Sequence, residues 1–109
     1  MGISKTDNYT FKQLELSKLA KVLGHPARIA ILEFLIQKQK CICGDIVDEL
    51  PLAQPTVSQH LKEMKAVGLI KGNIEGNSIC YCIDEKVLQM LLNYIQIISE
   101  KLEIKNKCC

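Results

Sequence analysis

Arginine is almost absent from this chain: Arg28 is the single one among fourteen lysines and arginines. Bidentate arginine-to-guanine contacts are therefore nearly unavailable, and any base reading would fall to Gln, Thr, Ser and Lys. Strong net charge is missing too. A balance of +2 is too mild to diagnose nucleic-acid binding by itself. Long apolar runs are lacking, since Lys, Glu or Gln interrupts each well short of a membrane span. Met1 to Tyr9 carries neither a long apolar run nor a small-residue cleavage site, so it reads as neither signal peptide nor anchor. Histidine is confined to His25 and His60, with none from residue 84 onward. Ser58 and His60 lack the elbow glycines and third orienting group that a hydrolase needs. These absences predict a soluble cytoplasmic protein with no membrane partner, no organic cofactor and no enzymatic activity.

What the chain has is one domain's length, 109 residues, with 48% hydrophobic content. Thr10 can cap a first helix striped by Leu16, Leu19, Ala20 and Leu23. Gly24-His-Pro26 breaks it and opens a second helix. There Ile29, Ile31, Leu32, Phe34, Leu35 and Ile36 leave almost no polar face, which predicts a buried centre. Gln37 to Ile42 reads as a loop.

Asp45-Ile-Val-Asp-Glu-Leu50 then reads as a short helix, and Pro51-Leu-Ala53 as a tight turn. Pro55 suits the first helical position of the next element. Val57, Leu61 and Met64 fall on one stripe, and Gly68 supplies the stop. The other face is polar and short-armed: Thr56, Ser58, Gln59 and Lys62. This is the pattern of a helix-turn-helix whose second helix enters a DNA major groove. Base and backbone contacts are expected from Gln54, Thr56, Ser58, Gln59, Lys62 and Lys65. Leu69–Ile74 and Ser78–Ile83 flank a Gly-Asn turn and mark a hairpin, a wing that would add Lys71, Asn73 and Asn77. Glutamine suits adenine and threonine methyls suit thymine, which favours an A·T-rich site. His60 lies on the Leu61 and Met64 side, where a hydrogen-bonded junction role is expected.

Asp84 can cap a closing helix striped by Val87, Leu88, Leu91, Leu92, Ile95, Ile98 and Leu102. That is more apolar surface than one small core uses. A homodimer through Leu16, Leu19, Leu88, Leu91, Leu92, Ile95 and Ile98 is the expected outlet. The reading is a mostly α dimeric winged helix-turn-helix, with five helices and a two-stranded wing. Residues 1–9 form a tail, 10–105 the domain and 106–109 a cysteine tail.

Leu23-Gly-His-Pro-Ala-Arg28, Gln54-Pro-Thr-Val-Ser-Gln-His-Leu61, Ala66-Val-Gly-Leu-Ile70 and Tyr81-Cys-Ile-Asp84 together resemble the ArsR/SmtB family of winged-helix repressors. The resemblance covers roughly residues 10 to 104. It implies a homodimer on an imperfect palindrome of double-stranded operator DNA, released when a toxic metal or metalloid binds cysteines. Family members that sense arsenite, cadmium or lead often carry Cys-x-Cys directly before an aspartate. Here Cys41-Ile-Cys43 is followed by Gly44 and only then Asp45, one residue earlier.

The six cysteines form three close pairs: Cys41/Cys43, Cys80/Cys82 and Cys108/Cys109. Without a secretory signal, thiol or metal chemistry is expected of them rather than a disulfide framework. Cys41 and Cys43 at a helix start would be biased toward thiolate by the helix dipole, and thiolates suit a soft ion. Trivalent arsenic takes three thiolates, the third from Cys108 or Cys109. Cys80 and Cys82 share one strand face and read as structural filling. Arsenite, or another soft metal or metalloid, is the expected inducer. The alternatives are the same fold sensing cadmium, lead or thiol redox state, and a thiol enzyme such as an arsenate reductase. The last lacks an arginine following any cysteine.

Overall fold

In a computed structural model of the chain, which describes residues 8–38, 41–43, 50, 52–75 and 78–105, Thr10 opens the first helix. Its hydroxyl accepts from the Gln13 N–H at 3.1 Å, and the Gln13 amide oxygen accepts from the Thr10 N–H at 2.9 Å. This reciprocal capping box satisfies two donors that the first turn would otherwise leave open. Helix α1 runs Phe11–Val22. His25 Nδ1 accepts from the Ala27 N–H at 3.0 Å and caps α2, Pro26–Lys38. Ile31, Phe34 and Leu35 of α2 are buried, but Ile29 and Ile36 are exposed. The helix is therefore one-sided rather than buried all round.

The segment expected as a loop ends instead in a short strand, β1, Ile42–Cys43. Of the expected helix Asp45–Leu50, residues 45–49 lie outside the described ones, and four helices stand among the described residues. Helix α3 is Gln54–Ala66, with Ala53 at its N-cap and Pro55 in its first turn. Gly68 stops it at φ 82°, a left-handed conformation that costs glycine no steric strain. Two antiparallel strands follow, β2 (Ile70–Glu75) and β3 (Ser78–Ile83). Their register pairs Ile70 with Ile83 and Asn73 with Cys80. β1 adds to the free edge of β3, giving the order β1-β3-β2.

The Asp84 N–H donates to the Leu69 carbonyl at 2.9 Å and closes the base of the hairpin. Asp84 Oδ1 then accepts from the Lys86 and Val87 N–H groups, capping α4, Glu85–Lys105. No helix among the described residues is long and apolar enough to cross a membrane.

The core gathers Leu19 and Val22 of α1, Ile31 and Leu35 of α2, Ile42 of β1, Val57, Leu61 and Met64 of α3, and Leu69 and Ile70 at the wing base. Two assignments change here. Leu16 and Leu19, expected at a dimer interface, are buried inside the protomer at 7% and 1% exposure, and leave little to offer a partner. On β3, strand alternation in the sequence would turn Ile79, Tyr81 and Ile83 inward, and only Tyr81 and Ile83 are partly buried. Ile79 is exposed while Cys80 is buried. The α4 stripe divides along the helix. Val87, Leu88 and Leu91 pack on the core, whereas Leu92, Ile95, Ile98 and Leu102 stay exposed.

Candidate nucleic-acid interface and thiol ladder

Helix α3 buries Val57, His60, Leu61 and Met64 and presents Thr56, Ser58, Gln59 and Lys62 to solvent. A 3.6-residue period separates the two sets, so the buried row fixes which way the polar row looks. Lys65 and Lys71 are exposed as well, and Asn73 stands exposed on β2. Lys65 Nζ lies 3.2 Å from where a Cβ on Gly72 would sit, so this lysine bridges the helix and the wing. Of Gln54, the structure places the backbone in the first turn of α3. Asn77 falls outside the described residues.

Arg28 does not face this surface. Its Nε donates to His60 Nδ1 at 3.0 Å, one terminal nitrogen donates to the Val22 carbonyl at 3.2 Å, and the other to Glu63 Oε2 at 2.6 Å. One guanidinium on α2 thus holds the end of α1 and two residues of α3. His60 takes the junction role expected of it, with its ring 4.5 Å from that of His25. Gln59 Nε2 also donates to Glu63 at 3.3 Å, which lends one expected base-reader to the internal network. Glu63 belongs to none of the motifs in the sequence, yet it is a member of this network. Its place three residues after His60 and four after Gln59 was the available signal.

Burial, then the neighbouring His25 and Arg28, lower the His60 pKa below its ordinary 6.5, with Glu63 opposing. The Gln59 amide, followed by Arg28, holds the Glu63 carboxyl below the usual carboxylate range. The consequence for stability has a definite sign. Above pH 6.5 His60 is neutral folded or unfolded. Below it the unfolded chain takes up a proton that the folded one resists, so stability falls as pH drops. The Glu63 contribution is lost later, as pH falls below the ordinary carboxylate value of 4.5. Urea midpoints measured at pH 7.5 and 5.5 should drop for the wild type and drop less for His60→Gln. Equal drops would assign the effect to other groups.

The cysteines stand differently from their expected arrangement. Cys43 is in a strand, not at a helix start, so the helix-dipole argument for its thiolate lapses. The β1–β3 register sets Ile42 opposite Tyr81 and Cys43 opposite Cys80. One step further, Cys41 and Cys82 have Cα atoms 4.4 Å apart and are joined in a disulfide. That separation is typical of directly opposed residues at a non-hydrogen-bonded rung. Cys80 is disulfide-bonded as well. Cys80 and Cys82 are therefore not mere filling. Among the described residues no three His, Cys, Asp or Glu side chains are grouped to hold a metal ion. Cys108 and Cys109 fall outside the described residues.

A profile of the family described as "Bacterial regulatory protein, arsR family" matches residues 25–71, from the start of α2 into β2. An uncharacterized HTH-type transcriptional regulator of Methanocaldococcus jannaschii is 34% identical over 82 residues, spanning 73% of this chain and 91% of that protein. The arsenical resistance operon repressor of Staphylococcus xylosus is 32% identical over 85 residues, 78% of this chain and 81% of that one. In fold, an ArsR-like transcriptional regulator from Rhodococcus superposes with a TM-score of 0.73 at 19% identity, covering 91% of this chain and 92% of that one. With its stop-glycine recognition helix, hairpin wing and arsenical-repressor relatives, the chain belongs to the ArsR family and is a DNA-binding transcriptional repressor, not an enzyme.

Proposed function

We propose that the chain acts in the cytoplasm as a homodimer on an imperfect operator palindrome and leaves it when a soft metalloid, arsenite first among them, binds its cysteine thiolates. The observation that carries the DNA half is the exposed uncharged row Thr56, Ser58 and Gln59, with Lys62 beside it, on a helix whose opposite face is fully packed. Gln54, Lys65 and the wing residues Lys71, Asn73 and Asn77 extend that row. Leu88, Leu91, Leu92, Ile95 and Ile98 of α4 form the dimer face.

For the inducer half, support comes from the exposed Cys41 on the β1 side of the thiol ladder and from a relative named as an arsenical resistance operon repressor. Trivalent arsenic wants three thiolates. Cys41 and Cys43 supply two, and Cys108 or Cys109 the third. The same thiols would take cadmium or lead.

An anisotropy titration of the reduced protein against a duplex from its own promoter tests both halves. Thr56→Ala or Gln59→Ala should cost about 1–3 kcal/mol on that duplex and little on random DNA. Lys62→Ala should weaken both and flatten the salt dependence. Arsenite should weaken promoter binding by a coupling of about 1–3 kcal/mol. Cys41→Ser should abolish that response while leaving DNA binding intact. Equal affinity for promoter and random duplexes would remove the base-reading role of α3.

A further inference from the structure

We infer that Cys41 and Cys82 form a reversible dithiol–disulfide site that gates the inducer, the oxidised protein being blind to soft ions. The inference rests on the soft-ion reading of Cys41 just given. Three observations carry it. The two cysteines occupy one rung at the β1–β3 edge and are bonded there while α3 stays docked and the wing stays paired. The pair opens on a hollow of about 550 Å³ walled by Leu35, Ile36, Ile83, Glu85 and Leu88, within the size range that admits small organic molecules. The two thiols are also unequal, since Cys41 is exposed and Cys82 half-buried.

That inequality orders the chemistry. A small disulfide RSSR serves as the oxidant. The Cys41 thiolate attacks one of its sulfurs, the S–S bond breaks, and one RS⁻ leaves. The Cys82 thiolate then attacks Cys41 Sγ in the mixed disulfide and expels the second RS⁻. The two thiol protons end on the two leaving groups, so the protein loses two electrons and RSSR becomes two RSH. The reverse sequence, driven by excess RSH, restores the thiols. Because the bonded form keeps α3 and the wing in place, oxidation removes ligands from the inducer without disturbing the reading surface. Two rungs along, past Ile42 and Tyr81, Cys80 is disulfide-bonded and Cys43 stands across from it in register.

The full chain, reduced and then treated with oxidised glutathione, provides the test. A non-reducing peptide map should join the Cys41 peptide to the Cys82 peptide. In Cys82→Ser, glutathione should stay trapped on Cys41. In Cys41→Ser, modification of Cys82 should be at least tenfold slower, because the exposed entry thiol is gone. Promoter affinity should change less than twofold on oxidation, and the arsenite-driven release seen with reduced protein should disappear, then return with dithiothreitol. Cys41 linked elsewhere or left unreacted overturns the site, and arsenite release that persists in the mapped oxidised protein overturns the gate. Reduced protein that ignores arsenite while the 41–82 link still forms would instead overturn the inducer reading and leave the redox site standing.

Discussion

Met64→Ala should lower the unfolding free energy by about 2–5 kcal/mol, a large share of what a domain of this size possesses. Met64 has no exposed surface and sits where α3 meets the remainder of the core beside Val57 and Leu61. Truncation removes its transfer free energy and leaves a cavity that the surrounding core fills only in part. The exposed Lys62, two residues earlier, is the control, and its alanine variant should stay within about 0.5 kcal/mol of wild type. Urea unfolding followed by circular dichroism reads both. Promoter binding by Met64→Ala should fall through loss of folded protein, not through lost contacts, and should recover at lower temperature or with added osmolyte. A Met64→Ala protein as stable as the wild type would mean that α3 is not anchored by this row.

Ile95→Asp should have the opposite profile, with stability of the protomer kept and assembly lost. Ile95 is 53% exposed on α4, flanked by exposed Leu92 and Ile98, and contributes little to the protomer's own core. A carboxylate in the middle of a shared apolar face would be desolvated without a partner on association, which is costly. On the proposed dimer, sedimentation velocity should show Ile95→Asp as monomer at concentrations where the wild type self-associates. Operator affinity should fall about 10²–10⁴-fold, because the second half-site is no longer bound intramolecularly. A dimer that survives this substitution would move the interface off the exposed stripe of α4.

The helices and the wing could be read from the chain because each is announced locally. Thr10, Pro26, Gly68 and Asp84 are start and stop signals that act within one turn, and each took its expected place. Periodicity likewise placed Val57, Leu61 and Met64 inward. What escaped were contacts between distant segments. Ile42–Cys43 is too short to carry a strand pattern, so its pairing with β3 was invisible, and with it the Cys41–Cys82 rung. Leu16 and Leu19 show the same limit from the other side. An apolar stripe says that a face is covered, not whether the cover is the same chain or another.

One consequence follows from Arg28. Its guanidinium fastens the last turn of α1, the frame of α2 and the inner face of α3 at a single point. The reading head is thereby stiffened as one block, and the proposed inducer at the sheet edge would have little scope to bend it from within. Release would then work by re-aiming whole heads, a rigid-body change in the distance and tilt between two of them. Two intact heads would arrive out of phase with the helical repeat of the DNA, each still able to grip a single half-site.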